Sequence, residues 1–199
     1  MTNRLGRWAA IAAVAILSVA SLREAMGQAA AQPAFRIRTI RKEQVQAPSY
    51  GTSASSALNG GRPGTIGTQW LRIEVQFDTG NLEWADEVTL KYYVLMGKGK
   101  LTKMFTGELT HVNVAKGSQH FSAMYIHPNT LLRFGAGQVE AVVVQMFYQN
   151  RLVATYGEPQ VTKRWWEEFA PTAGFLLNPL QTPWSVVAYE RYEAIKSTP

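Results

Sequence analysis

The stretch that best indicates the fold is residues 70–77, WLRIEVQF. From Leu71 onward an apolar side chain occupies every second position, with Arg72, Glu74 and Gln76 between them. Alternation with a period of two is typical of a β-strand that buries one face. A turn sequence, DTGN at 78–81, follows directly. We therefore predict a strand that packs on a hydrophobic core.

Similar segments recur on both sides of this strand. Further strands are predicted at 35–45, 88–96, 101–105, 109–114, 119–126, 138–148 and 152–156. No long helical pattern separates them, although a parallel sheet would need crossover helices. We predict an all-β fold, an immunoglobulin-like antiparallel β-sandwich with a short C-terminal helical tail. The predicted core contains Trp70, Val75, Phe77, Tyr92, Val142, Val144 and Phe147.

The N-terminus predicts export. Within residues 1–31, Arg4 and Arg7 precede an uncharged, mostly apolar run at 8–22, and small residues follow, as in a signal peptide. The run is shorter than the ~20 residues of a membrane-spanning helix. We therefore expect cleavage, no transmembrane span in the mature chain, and a location in the periplasm or at the outer membrane or cell surface.

Two further regions are predicted after this leader. Residues 35–158 should form the sandwich, interrupted by a flexible loop at 48–67 that is rich in Gly and Ser and lacks the ending of a phosphate-binding loop. Residues 159–199 form a Trp-rich tail, packed on the sandwich or on a partner. Thr162 and Thr182 are candidate helix caps in it. Helical spacing connects Trp184, Ala188, Tyr192 and Ile195.

Residues with common catalytic or metal-binding chemistry are few. The chain contains no Cys, which excludes disulfides, thiolate nucleophiles and Cys-ligated zinc. His111, His120 and His127 lack metal-ligand spacing, and no Gly-x-Ser-x-Gly motif is present. We expect no enzyme activity, no metal and no cofactor.

The charge is weakly positive, with 20 Lys and Arg against 14 Asp and Glu and no basic run. Tyr92 and Tyr93 beside Lys91 would suit a base-stacking sheet, but export argues against a nucleic-acid partner. The same two tyrosines with Trp84 could instead form a platform for sugar rings. A periplasmic carbohydrate-binding or glycan-hydrolysing protein, with Glu side chains as acids, is therefore the alternative function.

The tail carries a family resemblance. Residues 165–171, WWEEFAP, and 182–189, TPWSVVAY, continuing to Tyr192 and Glu193, resemble the C-terminal block of small exported proteins of Verrucomicrobia. Those proteins are encoded beside type IV pilus-like secretion genes, and Akkermansia has the best-known relative. The resemblance is looser over the strands from Phe35 onward. It implies an immunoglobulin-like domain at the cell envelope, associated with a pilus-like assembly and without a catalytic motif.

The leading hypothesis is a non-catalytic component of the envelope that binds or supports proteins of a pilus-like or secretion assembly. Half of the six Trp residues lie in the tail. Large aromatic side chains often dominate the binding energy of protein interfaces. The predicted partner-binding residues are Trp165, Trp166, Phe169 and Trp184. The sequence does not indicate an oligomeric state.

Overall fold

The structure, a computed structural model, describes residues 35–48, 69–97, 99, 102–134 and 138–197. The predicted signal peptide and all but Pro48 of the predicted loop at 48–67 lie outside these residues. The described residues form nine strands: β1 (Arg36–Gln46), β2 (Gln69–Asp78), β3 (Trp84–Met96), β4 (Lys103–Ala115), β5 (His120–Ile126), β6 (Val139–Tyr148), β7 (Arg151–Glu158), β8 (Pro171–Ala173) and β9 (Leu176–Leu177). The helical segments among them are Pro128–Phe134, Trp165–Glu167, Pro179–Gln181 and Ala188–Arg191.

The strands form two sheets. A four-stranded sheet has the order β1-β2-β5-β9, and a five-stranded sheet has the order β7-β6-β3-β4-β8. All neighbours are antiparallel except β4 and β8. The seven long strands have the pairing of an immunoglobulin-like sandwich in which β4 belongs to the larger sheet. The predicted fold class is confirmed.

The main core lies between the two sheets and is built from alternate residues of each strand. Val75 and Phe77 of β2 are fully buried there, as are Val142 and Val144 of β6. Tyr92 of β3 is also fully buried, and its hydroxyl donates a 2.8 Å hydrogen bond to Ser122 Oγ. That bond satisfies a polar group that would otherwise be costly to bury. These five residues were predicted core residues.

Two predicted core residues lie elsewhere, and strand periodicity explains both. Leu71 faces the main core, so Trp70 points to the outer face of the four-stranded sheet and joins a second cluster with Tyr125. Met146 faces the core, so Phe147 points to the outer face of the five-stranded sheet, where the Lys91 ammonium lies 5.1 Å from its ring centroid. The prediction for these two residues is wrong.

The predicted strands 101–105 and 109–114 are in fact one strand, β4. Gly107 lies between the two segments, but it does not mark a turn. A Cβ at Gly107 would be 2.6 Å from Met124 Cε and 2.9 Å from Leu176 Cβ. The glycine therefore allows β5 and β9 to approach β4 closely, which is a known use of glycine within a strand.

The tail is less helical than its sequence spacing predicts. Thr162 caps no helix; the short segment Trp165–Glu167 begins after Arg164 without a side-chain cap. Thr182 follows the segment Pro179–Gln181 as its C-cap. Instead of continuing as helix, the tail pairs β8 with β4 and β9 with β5. The open edges of those two strands offer backbone partners that a continuous helix would leave unused.

No helix in the part of the chain that the structure describes is long and apolar enough to cross a membrane.

Candidate functional site

The four predicted partner-binding residues lie in two places. Trp165 and Trp166 pack against one another, and Trp166 lies beside Tyr93 on the outer face of the five-stranded sheet. Phe169 follows in the same segment and is half-buried. Trp184 lies on the outer face of the four-stranded sheet, against Tyr125. The structure therefore does not bring the four residues together into one site.

Trp184 holds the tail on the four-stranded sheet. Its ring stacks on Tyr125, with centroids 4.7 Å apart and planes at 17°, and meets the Trp70 ring edge-on at 5.5 Å. The buried Thr182 fixes the turn before it: the Thr182 hydroxyl donates to the Pro179 carbonyl at 2.7 Å and accepts from the Trp184 amide at 3.3 Å. The Trp184 ring therefore packs on residues of its own chain.

A charged pair fixes the same stretch of tail. Arg191 donates two hydrogen bonds, of 2.7 and 2.8 Å, to the carboxylate of Glu74 on β2. Glu74 is only 4% exposed. Burial alone would raise the pKa of Glu74, but the bonds from Arg191 and the positive charges of Arg72 and Arg191 outweigh it and lower that pKa. The Arg191 guanidinium also lies 4.9 Å from the Phe121 ring centroid.

Two histidines bind the end of the tail through Glu193. The Nδ1 atom of the fully buried His111 lies 3.2 Å from the Glu193 carbonyl oxygen, and Nδ1 of His120 lies 2.6 Å from the Glu193 carboxylate. Both imidazoles pack on Phe77. Burial lowers the pKa of His111 to about 4, so its imidazole is neutral at pH 7.

The third histidine is separate. The His127 ring lies 4.7 Å from the Trp70 ring, on the other cluster. Within the described residues, no three His, Asp or Glu side chains form a group that could hold a metal ion.

Beside β7 the tail leaves a groove with a volume of about 660 Å³. One wall is the last part of β7, Thr155–Glu158, and the other is the segment 160–164 together with Trp166. Val161 anchors this segment, because its side chain fills the space that a Cβ at Gly157 would need. We call this feature the β7 groove.

A family model matches residues 27–199, which include the whole sandwich and the tail. The chain belongs to the pilus-associated family of Akkermansia and its relatives. The resemblance noted in the tail is thereby confirmed.

A crystal structure of a protein from Akkermansia muciniphila shares the fold of this family member. The TM-score is 0.67 and the sequence identity 23%, over 83% of this chain and 93% of that chain. Among curated proteins, none matches the chain significantly.

The aromatic platform of the alternative hypothesis is not assembled in this family member. Tyr92 points into the main core and Tyr93 to the outer face, because consecutive strand residues point to opposite sides. Trp84 lies at the opposite end of β3, nine residues from Tyr93. The three rings therefore present no common surface to a sugar.

Sequence reasoning missed the residues that anchor the tail. Glu74 alternates with apolar residues and so resembles a solvent-facing position, while its partner Arg191 is 117 residues away. His120 and Glu193 are 73 residues apart. No short-range spacing connects such pairs. The only sequence signal is that the tail is dense in aromatic residues, which predicts burial without naming the surface that buries them.

Proposed function

We propose that this pilus-associated protein is exported and acts in the cell envelope as a non-catalytic interaction or structural component of a pilus-like or secretion assembly. Family membership supports the pilus-like setting. The observation that carries the interaction role is the placement of Trp165 and Trp166. Both rings are held by packing, yet each keeps part of its surface in solvent.

Such a pair is suited to binding a protein. A ring already fixed by Tyr93 loses little side-chain entropy when a partner covers it. Trp184 is also half-buried, but its ring packs on two aromatic residues of the four-stranded sheet, Tyr125 and Trp70, and so anchors the tail. We therefore assign partner binding first to Trp165 and Trp166. The roles of Phe169 and Trp184 in binding remain predictions.

The test is chemical crosslinking in the native envelope, followed by affinity recovery of the full chain and mass spectrometry. The double variant Trp165→Ala, Trp166→Ala is compared with Trp84→Ala, which removes a 61% exposed tryptophan at a distant place on β3. We expect the wild type and Trp84→Ala to recover pilus or secretion components equally. The double variant should recover at least fivefold less while its melting temperature stays close to that of the wild type.

Two results would contradict the proposal. Failure of the wild-type chain to recover any pilus or secretion component would remove the assembly role. Equal recovery by the double variant would remove Trp165 and Trp166 from the interface. Truncation after Pro159 is not a suitable control, because it would delete β8 and β9 from the two sheets.

A further inference from the structure

We propose that residues 193–196 of the tail form a pH-sensitive latch, which stays closed while His111 is neutral and is released when His111 takes up a proton. This segment, here called the tail latch, contacts β4 of one sheet and β5 of the other. The latch needs no partner, so it stands independently of the proposed function. Three observations support it: the few contacts that hold the latch, the bonding of the two histidines beneath it, and the separate support of the strands that it covers.

The first observation is how few backbone contacts hold the tail latch. Ile195, which is only 5% exposed, forms an isolated bridge with β4 and not a continuous strand. Two backbone hydrogen bonds of 2.8 Å flank this bridge, from the Val112 amide to the Ala194 carbonyl and from the Lys196 amide to the Thr110 carbonyl. A segment with so little pairing depends on its side-chain contacts to remain in place.

The second observation is that Glu193 fixes the protons of both histidines beneath the latch. A carbonyl oxygen can only accept, so the Nδ1 atom of His111, 3.2 Å from the Glu193 carbonyl, carries a proton and donates it. An ionised carboxylate also only accepts, so Nδ1 of His120 donates to the Glu193 carboxylate at 2.6 Å. The proton of each neutral ring is therefore on Nδ1, and Nε2 has none.

The two Nε2 atoms are buried, and no group among the described residues forms a hydrogen bond with either of them. Protonation of His111 would add an N–H group without an acceptor and would place a charge on a fully buried ring. The closed latch therefore disfavours the proton, and burial lowers the pKa of His111 to about 4. Once the latch is released, water reaches the ring and the ordinary value of 6.5 returns.

Few charged or titratable groups of the described residues face His111. Glu193 faces it from the tail and His120 from β5, while β2 contributes the apolar ring of Phe77. Charged groups on β2 and β3 form ion pairs of their own, Asp78 with Arg38 and Glu87 with Lys196. The Glu193 carboxylate favours a proton on His111, but the effect of burial is larger.

The third observation is that the strands beneath the latch are held without it. β4 is paired with β3, and β5 is paired with β2. Thr79 fixes the turn between β4 and β5, because its hydroxyl donates to the Ala115 carbonyl at 2.9 Å and its amide to the Gly117 carbonyl at 3.2 Å. Just before the latch, Arg191 holds the tail on Glu74. Residues 193–196 can therefore leave while the sandwich stays folded.

The direction of the pH effect follows from these contacts. Below pH 6.5 the released state binds a proton at His111 that the closed state excludes, so acidification favours release. From pH 7 to pH 5 the equilibrium constant for release should rise about twentyfold. A protonated His120 would keep its bond to the Glu193 carboxylate, so it does not favour release. Release would free the backbone groups of Thr110 and Val112 at the edge of β4.

The test is hydrogen exchange of the wild-type protein, labelled with nitrogen-15 and followed by NMR at pH 7, 6 and 5. The reporters are the Val112 and Lys196 amides, which donate across the closed latch. Amides between β3 and β6 report on unfolding of the whole sandwich. The protection factor of each amide is the exchange rate of an unstructured peptide at that pH divided by the measured rate, so that the pH dependence of the exchange chemistry cancels.

We expect the two reporter amides to have protection factors at least tenfold lower than those of the β3–β6 amides. Between pH 7 and pH 5 the protection of the reporters should fall about twentyfold. Equal protection of the reporters and the β3–β6 amides would overturn the latch, because residues 193–196 would then leave only when the sandwich unfolds. Reporter protection that does not change with pH would overturn its pH sensitivity.

Histidine variants identify the group that takes up the proton. His111→Asn keeps an amide donor for the Glu193 carbonyl but cannot be protonated, so reporter protection should change less than threefold between pH 7 and pH 5. The matched control, His127→Asn, removes the histidine that packs on Trp70 and should keep the twentyfold change expected of the wild type. If His120→Asn abolishes the change and His111→Asn retains it, the assignment to His111 is overturned.

A measurement on the wild type decides the same point if His111→Asn does not fold. Nitrogen-15 NMR of the imidazole rings reports the tautomer and the protonation of each histidine. In the closed protein we expect His111 to remain neutral at pH 5 with its proton on Nδ1. A His111 that titrates near pH 6.5 in the folded protein, or that carries its proton on Nε2, would overturn the proposal.

Discussion

The two outer faces of the sandwich are covered by successive parts of the same tail, and they are covered to different extents. On the four-stranded sheet, Trp184 stacks on Tyr125 and Arg191 neutralises the buried Glu74. On the five-stranded sheet, the segment that contains Trp166 leaves the β7 groove open. The same aromatic-rich tail therefore packs closely on one face and leaves an open groove on the other.

The comparison shows that aromatic density does not by itself identify an interface. Trp184 meets the rings of Trp70 and Tyr125, which are distant in sequence, whereas among the described residues the Trp165 ring packs on that of its neighbour Trp166. An aromatic pair contributes about 0.5–1.5 kcal/mol beyond the area it buries. The surface that a ring meets in its own chain decides how much that ring stabilises the fold.

The largest expected effect comes from removing Trp184. We expect Trp184→Ala to lower the free energy of unfolding by about 3 kcal/mol, because it empties the space between Tyr125 and Trp70. Trp165→Ala, on the other face, should cost less than about 1 kcal/mol. Urea unfolding followed by circular dichroism measures both. Equal losses in the free energy of unfolding would show that the two tryptophans stabilise the fold to the same extent.

A smaller effect is expected from pH and should depend on His111. Its folded pKa of about 4 lies below the ordinary 6.5, so neutral His111 stabilises the fold fully above pH 6.5 and less as the pH falls. The expected loss is about 2 kcal/mol between pH 7 and pH 5. Glu74, whose lowered pKa starts from 4.5, loses its contribution only at lower pH.

Unfolding curves at pH 7, 6 and 5 measure this loss. The variant His111→Gln should be less stable at pH 7 but should lose much less stability than the wild type on acidification. A wild-type curve that is flat over this range would contradict burial of a neutral imidazole at His111.

The smallest expected effects on stability concern two arginines of the tail, Arg191 and Arg164. Arg191→Ala leaves the Glu74 carboxylate without its bidentate partner, but the Arg191 side chain is 46% exposed, so water can replace part of the interaction. We expect a loss of about 1 kcal/mol at pH 7. Arg164→Ala removes the exposed pair with Glu167 and should cost less than about 0.3 kcal/mol.

Thermal unfolding of both arginine variants, with the double variant Arg191→Ala, Glu74→Gln as a third sample, tests this order. The third sample should be no less stable than Arg191→Ala, since it removes the charge of a buried carboxylate that has lost its two hydrogen bonds from Arg191. If Arg164→Ala proves the more damaging single variant, the assignment of the anchoring face is wrong.

The long strands were predictable because their signal is local. Alternation in 70–77 predicted β2, but Trp70 was wrongly placed in the main core: it neighbours the inward-facing Leu71 and points outward. Gly107 could not be interpreted in the same way. Its role depends on Met124 and Leu176, which reach it from two other strands. A glycine at a close approach and a glycine in a turn look identical in one sequence.

The candidate site was predictable in composition but not in arrangement. Trp165, Trp166, Phe169 and Trp184 were identified by side-chain type, yet their distribution over two faces depends on where β8 and β9 join the sheets. The spacing in 184–195 favours a helix, whereas the edge of β4 offers backbone groups for pairing. The bridge between Ile195 and His111 shows that pairing prevailed at the end of the tail.

Local pattern in this chain is enough to establish an all-β sandwich, because side chains that alternate in polarity can bury one face only as strands. The tail residues behave differently, because their partners lie far away in sequence. Glu193 meets His120, and Arg191 meets Glu74, because the tail packs on strands that are distant in sequence. Those contacts, and the β7 groove that the tail leaves open, arise from packing between distant segments, for which a sequence has no short-range signal.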